Sequence, residues 1–275
     1  MRGWWREIAG LVLPVACGGC GAPRTALCAV CAGALTDGGP RRVRPAPEPA
    51  GLPVVHAVAP YAGAVRELLV AHKERGALAL AGPLGGALAA AVAAAGGPVT
   101  GSSVPPLLLV PVPSSRSSVR ARGHDPTRRI ALAAAARLRR AGRDARVVPV
   151  LRQRRYVADQ AGLGARGRHA NLAGALEVVP GGGRLLEAGR VVLVDDVMTT
   201  GASLAEAARA LGAVHPAFIP ALPEGMAEAA ARKATERSAQ HEFEQRRAAV
   251  IASSPASFEI NGNWPRSCIV AGGER

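Results

Sequence analysis

Fourteen consecutive residues constrain this chain more than any others: Val191-Val192-Leu193-Val194-Asp195-Asp196-Val197-Met198-Thr199-Thr200-Gly201-Ala202-Ser203-Leu204. Four apolar residues stop abruptly at two adjacent acids. A loop of hydroxyls and one glycine follows, and an Ala/Leu-rich helical pattern runs from Leu204 to Leu211. The uncharged run predicts a strand buried on both faces, which parallel sheets require. The loop then leads backbone N–H groups, Thr and Ser hydroxyls and the positive end of a helix to one point. The acids fall at the strand's carboxyl end, where open α/β sheets bind ligands. The alternative is a buried strand whose acids merely cap the next helix. No Gly-Lys-Ser/Thr follows, so the loop is not of the Walker A kind.

Strand and helix patterns alternate through most of the chain. Val54–Tyr61, Leu107–Val110, Arg146–Leu151 and Arg190–Val194 read as strands. Residues 62–79, 84–95 and 128–141 read as helices. Such alternation predicts an α/β fold with a doubly wound parallel sheet. The 275 residues suffice for one good domain with appendages. Hydrophobic residues make up 49% of the chain and aromatics only 3%, so the core must be built of Ala, Val and Leu. Residues 76–115 carry no charge, but Ala, Gly and Pro dominate them, and a membrane span is not expected there. Ile8–Cys17 superficially resembles a lipoprotein leader. It is short, Glu7 lies in its flank, and export is not expected. The cytoplasm is the expected compartment.

Four of the five cysteines form two pairs, Cys17-x2-Cys20 and Cys28-x2-Cys31, seven residues apart. Each pair fits one edge of a tetrahedral Zn2+ site, and four thiolates complete it. A redox Cys-x-x-Cys or unconnected thiols are the alternatives. A closed four-cysteine site has no open position for catalysis, so its expected work is folding. The expected organisation is a cysteine zinc module over 1–36, a Pro/Gly-rich linker over 37–53 and the α/β domain over 54–222. The chain then ends in a divergent tail over 223–275. In that tail, 227–250 reads as an amphipathic helix and 253–275 as disordered. Val214–Leu222 is the candidate for the sheet's next strand, broken by Pro216 and Pro220.

Three polar segments carry the candidate chemistry. Asp195 and Asp196 can accept hydrogen bonds from two neighbouring ribose hydroxyls, with Thr199, Thr200, Gly201 and Ser203 around a phosphate. After the Leu107–Val110 strand, the Pro-stiffened loop Pro111–Arg116 offers Ser114, Ser115 and Arg116, with Arg122 beyond. Backbone N–H groups and arginine forks suit a pyrophosphate; the alternative is a solvated basic loop. A third cluster, Arg152 to Gln160 with Arg166 and Asn171, is long enough for a lid or hood. The formal net charge of +14 suits a polyphosphate ligand or nucleic acid. The scarcity of aromatics argues against a dedicated single-strand binder.

The 191–204 segment resembles the phosphoribosyl-pyrophosphate (PRPP) motif of type I phosphoribosyltransferases. The ordered blocks extend the resemblance over residues 10–213: the cysteine pairs, Tyr61…Lys73-x-Arg75-Gly76, Val110-Pro111-Val112-Pro113…Arg116…Arg122-Gly123, Arg152…Gln160…Arg166…Asn171, and Val194-Asp195-Asp196…Thr199-Thr200-Gly201. Together they are similar to the ComF/GntX family of phosphoribosyltransferase-like proteins, linked to natural competence. The resemblance implies a type I phosphoribosyltransferase-like sheet with a small N-terminal zinc knuckle. It also implies PRPP or a related phosphoribosyl ligand, with Mg2+. Asp195 and Asp196 would hold ribose, Thr199–Ser203 the 5-phosphate and the Pro113–Arg116 loop the pyrophosphate, with Lys73, Gln160 and Arg166 as auxiliaries. Single-stranded DNA or DNA-uptake proteins are the implied partners if the role is accessory. Two departures stand out, one being that the family's last strand after Gly212-Ala213 is not recognisable. The family has an aromatic residue, Asn and Gln after the Arg-Gly, and this chain has His124-Asp125-Pro126.

Overall fold

The computed structural model describes residues 15–97, 104–155, 172–215 and 246–259. Its centre is a six-stranded mixed sheet of strand order β1-β2-β8-β7-β3-β4. The strands are β1 (Arg41–Val43), β2 (Val54–Pro60), β3 (Leu107–Pro111), β4 (Ala145–Val147), β7 (Arg190–Met198) and β8 (Arg247–Ser253). Five run parallel, and β1 lies antiparallel on the β2 edge. A separate antiparallel hairpin pairs β5 (Leu151–Gln153) with β6 (Leu176–Val178).

Helices cover both faces, as a parallel sheet demands. On one side lie α2 (Gly63–Glu74), α3 (Ala81–Gly96) and α5 (Pro126–Arg140), with α1 (Ala29–Ala34) beyond. Leu68, Leu84, Leu88 and Ile130 are buried there against Leu107, Leu109 and Val192. On the other side, α6 (Gly182–Leu186), α7 (Ala202–Gly212) and α8 (Pro255–Glu259) bury Leu186, Leu204, Leu211 and Phe258 against Leu108, Leu193 and Val250. With so few aromatics, the layers close by small side chains. A Cβ on Gly85 of α3 would lie 2.5 Å from the Ala133 Cβ of α5, so glycine permits that close approach. Leu78–Gly96, a 3-10 turn running into α3, is long and apolar enough to cross a membrane by composition, yet 56% of it is buried in this core.

The largest departure from expectation is β8. Residues 227–250 read as an amphipathic helix, and no strand was expected after Pro223. Instead Arg247–Ser253 fills the central slot between β2 and β7, with Val250 opposite Ala57 on one side and Asp195 on the other. Ala248 to Ala252 are all buried. A five-residue apolar run has no period that separates a buried strand from a buried helix turn. The unfilled place in the sheet decided it. Ser253, expected to begin a disordered tail, ends this strand, and α8 follows. Val214 and His215 form a turn bonded to Leu211 O; the rest of that candidate strand lies outside the described residues.

The 37–53 segment, expected to lack regular structure, contributes β1 to the sheet edge, where Pro and Gly neighbours are tolerated. The Arg146–Leu151 strand is two strands, 145–147 in the main sheet and 151–153 in the hairpin. Arg116–Arg122, expected as loop, forms helix α4. The His124-Asp125-Pro126 departure has a local cause as well. Asp125 caps α5, its Oδ1 accepting from Arg128 N at 3.0 Å, and Pro126 occupies the first turn, where its missing N–H costs nothing.

Candidate functional site

The order of the strands creates the site. From β3 the chain crosses to β4 on one side, then returns past β3 to β7 on the other. The α4–α5 segment leaves β3 toward one face of the sheet, while α7 leaves β7 toward the opposite face. Such a reversal opens a crevice at the strands' carboxyl ends. Pro111 lies opposite Val194, and Val112 N donates to Val194 O at 2.9 Å. The loop carrying Ser114 and Ser115 and the acids Asp195 and Asp196 therefore start side by side.

Asp196 is buried, and Lys73 at the end of α2 donates to its Oδ2 at 2.7 Å. Burial pushes the Asp196 carboxyl up, but the Lys73 charge and the hydrogen bonds from Lys73, Asp195 and the Val197 amide together outweigh it and hold the group below its ordinary range. In return Asp196 raises the Lys73 ammonium to about 12. Burial and the neighbouring Asp196 charge push Asp195 well above the usual carboxylate range. One acid is thus an ion-pair partner and the other a poorly compensated acceptor at the crevice. Both fold onto their own backbone: Asp196 N donates to Asp195 Oδ1, and Val197 N to Asp196 Oδ1, each at 2.8 Å.

Beyond the strand, Thr199 is exposed and Thr200 half-buried. Gly201 precedes α7 at φ 76°, the left-handed region that favours glycine. Gly201 caps α7 with no side chain, and in the first turn Ala202 N donates to Thr200 Oγ1 at 3.5 Å, so the amides of Ser203 and Leu204 are the ones left for an anion. Gly201 is also crowded from outside: a Cβ there would lie 2.9 Å from Leu52 Cδ1 and 3.3 Å from Pro49 Cγ. The segment expected as a linker therefore presses on this loop.

Of the expected pyrophosphate residues, Ser114 is half-buried beside the acids. Ser115 is spent on α4, its Oγ accepting from Ser118 N at 3.1 Å, and Arg116 is exposed. Arg122 forks onto Glu74, Nε and Nη2 each at 2.8 Å from a carboxylate oxygen. Glu74 follows Lys73 directly, so both cations of the crevice are held by acids. Gln160, Arg166 and Asn171 lie outside the described residues. The sequence reasoning passed over Glu74 and the pair His72–His124. The histidine rings meet edge to face with centroids 5.7 Å apart. Their Nδ1 atoms lie 3.3 Å from Ala77 O and 3.1 Å from Arg122 O. They fasten the end of α2 to the α4–α5 turn. Glu74 was legible only as the unnamed residue in Lys73-x-Arg75.

The cysteines form a second centre. The Sγ atoms of Cys17, Cys20, Cys28 and Cys31 all lie within 4.8 Å of one another, and Cys20 and Cys28 are 3.6 Å apart. Zinc–thiolate bonds of about 2.3 Å at tetrahedral angles put sulfurs roughly 3.8 Å apart, so this set fits zinc. Second-sphere amides are in place: Cys28 N points at Cys17 Sγ at 3.4 Å and Cys31 N at Cys28 Sγ at 3.5 Å. Burial raises the Cys17 thiol, yet the amides of Cys20, Cys28 and Gly19 outweigh it and bring it down to about 6. Burial and the neighbouring sulfurs push the Cys31 thiol up. A Cβ on Gly19 would lie 2.7 Å from Cys31 Sγ, so the Gly-Gly between the first two ligands is steric in origin. Cys17, Cys31 and Leu35 are buried in one cluster with Leu68 and Leu80, so the knuckle is docked on α2.

No family model matches the chain, and the curated proteins contain no match to it.

Proposed function

We propose that this chain binds PRPP in the crevice between β3 and β7, with a type I phosphoribosyltransferase-like fold and ComF/GntX-like character. Its reaction is Mg2+-dependent phosphoribosyl transfer to an acceptor. The observation that supports this most is the convergence at one crevice of the Asp195–Asp196 pair, the start of α7, and the cations Lys73 and Arg122. Ribose hydroxyls would pair with the carboxylates and the 5-phosphate with the amides of Ser203 and Leu204. The leaving pyrophosphate would be neutralised by Lys73 and Arg122 once they exchange Asp196 and Glu74 for the ligand. Asp195, the less compensated of the two acids, would accept from a ribose hydroxyl, and Mg2+ would supply charge neutralisation of the pyrophosphate. The cysteine site is structural, and its four thiolates suit a reducing cytoplasm. Calorimetric titration of PRPP with Mg2+ tests the reading, with a pyrophosphate-release screen over nucleobases for turnover. Equal binding by wild type and the Asp195→Asn/Asp196→Asn double variant would sink it.

A second reading, a non-enzymatic accessory protein for transforming DNA, has its own support. The outer face of α5 carries Arg128, Arg129, Arg137, Arg139 and Arg140, all exposed. Such a row suits phosphates tracked without base readout. DNA binding with a steep salt dependence and no PRPP turnover would favour it.

A further inference from the structure

A second concentration of positive charge lies away from the acid pair. A cavity of about 170 Å3 opens between the β1–β2 connection and the start of β8. Among the described residues its walls include Arg246, Arg42 and Arg44, the one acid Glu48, and the apolar Leu52 and Val55. Arg246 is only 9% exposed. Its backbone is fixed, since its carbonyl accepts from Val54 N at 2.9 Å where β2 and β8 begin to pair. Its guanidinium has no hydrogen bond or ion pair with any described residue. Glu48 does not compensate it, being turned to Arg44 at 3.9 Å.

A guanidinium mostly withdrawn from water favours an anionic partner, and no acid among the described residues pairs with that of Arg246. Burial lowers the Arg246 pKa, in keeping with a cation that no described acid supports. A planar fork of donors over an apolar floor matches the oxygens of a phosphate or carboxylate. The cavity falls below the roughly 300 Å3 at which pockets for drug-sized ligands begin, so the fitting ligand has few atoms.

We propose that the Arg246 cavity is a binding site for a small oxyanion, of which inorganic phosphate is the simplest representative, with Arg246 as the principal ligand and Arg44 at the rim. The site is independent of the PRPP reading. It has a structural tie to the first crevice all the same: Leu52, one of its walls, abuts Gly201. An anion that orders the 44–53 segment therefore also orders what presses on the phosphate loop.

Hydrogen exchange of the full chain by mass spectrometry tests this, with inorganic phosphate titrated against chloride at constant ionic strength. Phosphate should slow exchange across residues 42–55 in the wild type. In Arg246→Gln the midpoint of that protection should move at least about tenfold higher, the loss of one charge-assisted fork. Sulfate should replace phosphate. Protection of 195–205 belongs to the first crevice and is scored apart. No slowing at 42–55 in the wild type, an unchanged midpoint in Arg246→Gln, or equal protection by chloride each overturns the proposal. Should Arg246→Gln not fold, Arg44→Glu decides. Arg44 is exposed, so its replacement spares the core, and the reversed rim charge should raise the midpoint about fivefold or more. An unchanged midpoint there overturns the proposal as well.

Discussion

The cysteine knuckle and the acid crevice are built on opposite plans. All four sulfurs come from fifteen consecutive residues, 17–31, and only local turns bring them together. The crevice is assembled from the end of α2, the loop and helix after β3, and the end of β7, more than 120 positions apart at the extremes. The knuckle gathers groups of one kind that repel one another until a cation joins them. The crevice gathers acids and bases that satisfy each other, Lys73 with Asp196 and Arg122 with Glu74. A site of the first kind is suited to holding a metal permanently. A site of the second kind can exchange partners, because each internal ion pair is a stand-in for a charged ligand.

The sharpest way to break this contrast is to remove the metal. Elemental analysis should give about one zinc per chain, and chelation should be the largest perturbation available, since structural zinc contributes roughly 10 kcal/mol or more to folding in small domains. The loss should spread from 15–36 into α2, because Cys17 and Cys31 share a core with Leu68 and Leu80. Hydrogen exchange confined to 15–36 would show that the knuckle is independent after all.

Next in size is β8, which supports the crevice from the neighbouring strand. Ala249 is wholly buried opposite Val194. Ala249→Asp should cost on the order of 3–5 kcal/mol in urea denaturation, the penalty of an unpaired buried charge. Truncation before Arg247 should unfold the sheet. A truncated chain that still melts cooperatively would place β8 outside the core.

Within the crevice, Asp196→Asn should weaken PRPP binding by about 1.5–3 kcal/mol per charge-assisted bond lost. The two acids should differ in stability measurements without ligand. Asp196 has a lowered pKa, so its contribution is present above the unfolded-state value and is lost as pH falls through the folded one. Asp195 has a raised pKa, so the folded state is favoured while it is protonated and disfavoured once pH rises above the unfolded value. Asp195→Asn should therefore raise Tm at neutral pH while weakening ligand binding, and Asp196→Asn should lower Tm. Equal Tm shifts in the two variants would remove the distinction between them. Lys73, raised to about 12, should release Asp196 only in strong alkali.

The smallest expected effect is at Gly201. Gly201→Ala should cost roughly 1–2 kcal/mol for a side chain at positive φ. Leu52 Cδ1, the end of a flexible side chain, would have to shift as well. Urea denaturation measures the cost. An effect near zero would mean the loop adjusts freely.

Much of this was legible in the chain because it depends on neighbours in sequence. The cysteine spacing and the turn into α7 are local patterns, and they stand where the pattern put them; the strand expected to end at Val194 instead runs through both acids to Met198, because β8 pairs with it as far as Ser253. The mixed α/β class and the largely parallel sheet followed from alternation of periods. Other features depended on what lay across space. Ala248–Ala252 carries no periodic signal, and it became a central strand only because β2 and β7 left a gap that a short apolar segment fills. The pairing of Lys73 with Asp196 and Arg122 with Glu74, and the press of Leu52 on Gly201, join segments far apart in the chain. A charge's partner is set by distance through the fold, and sequence separation carries no information about it.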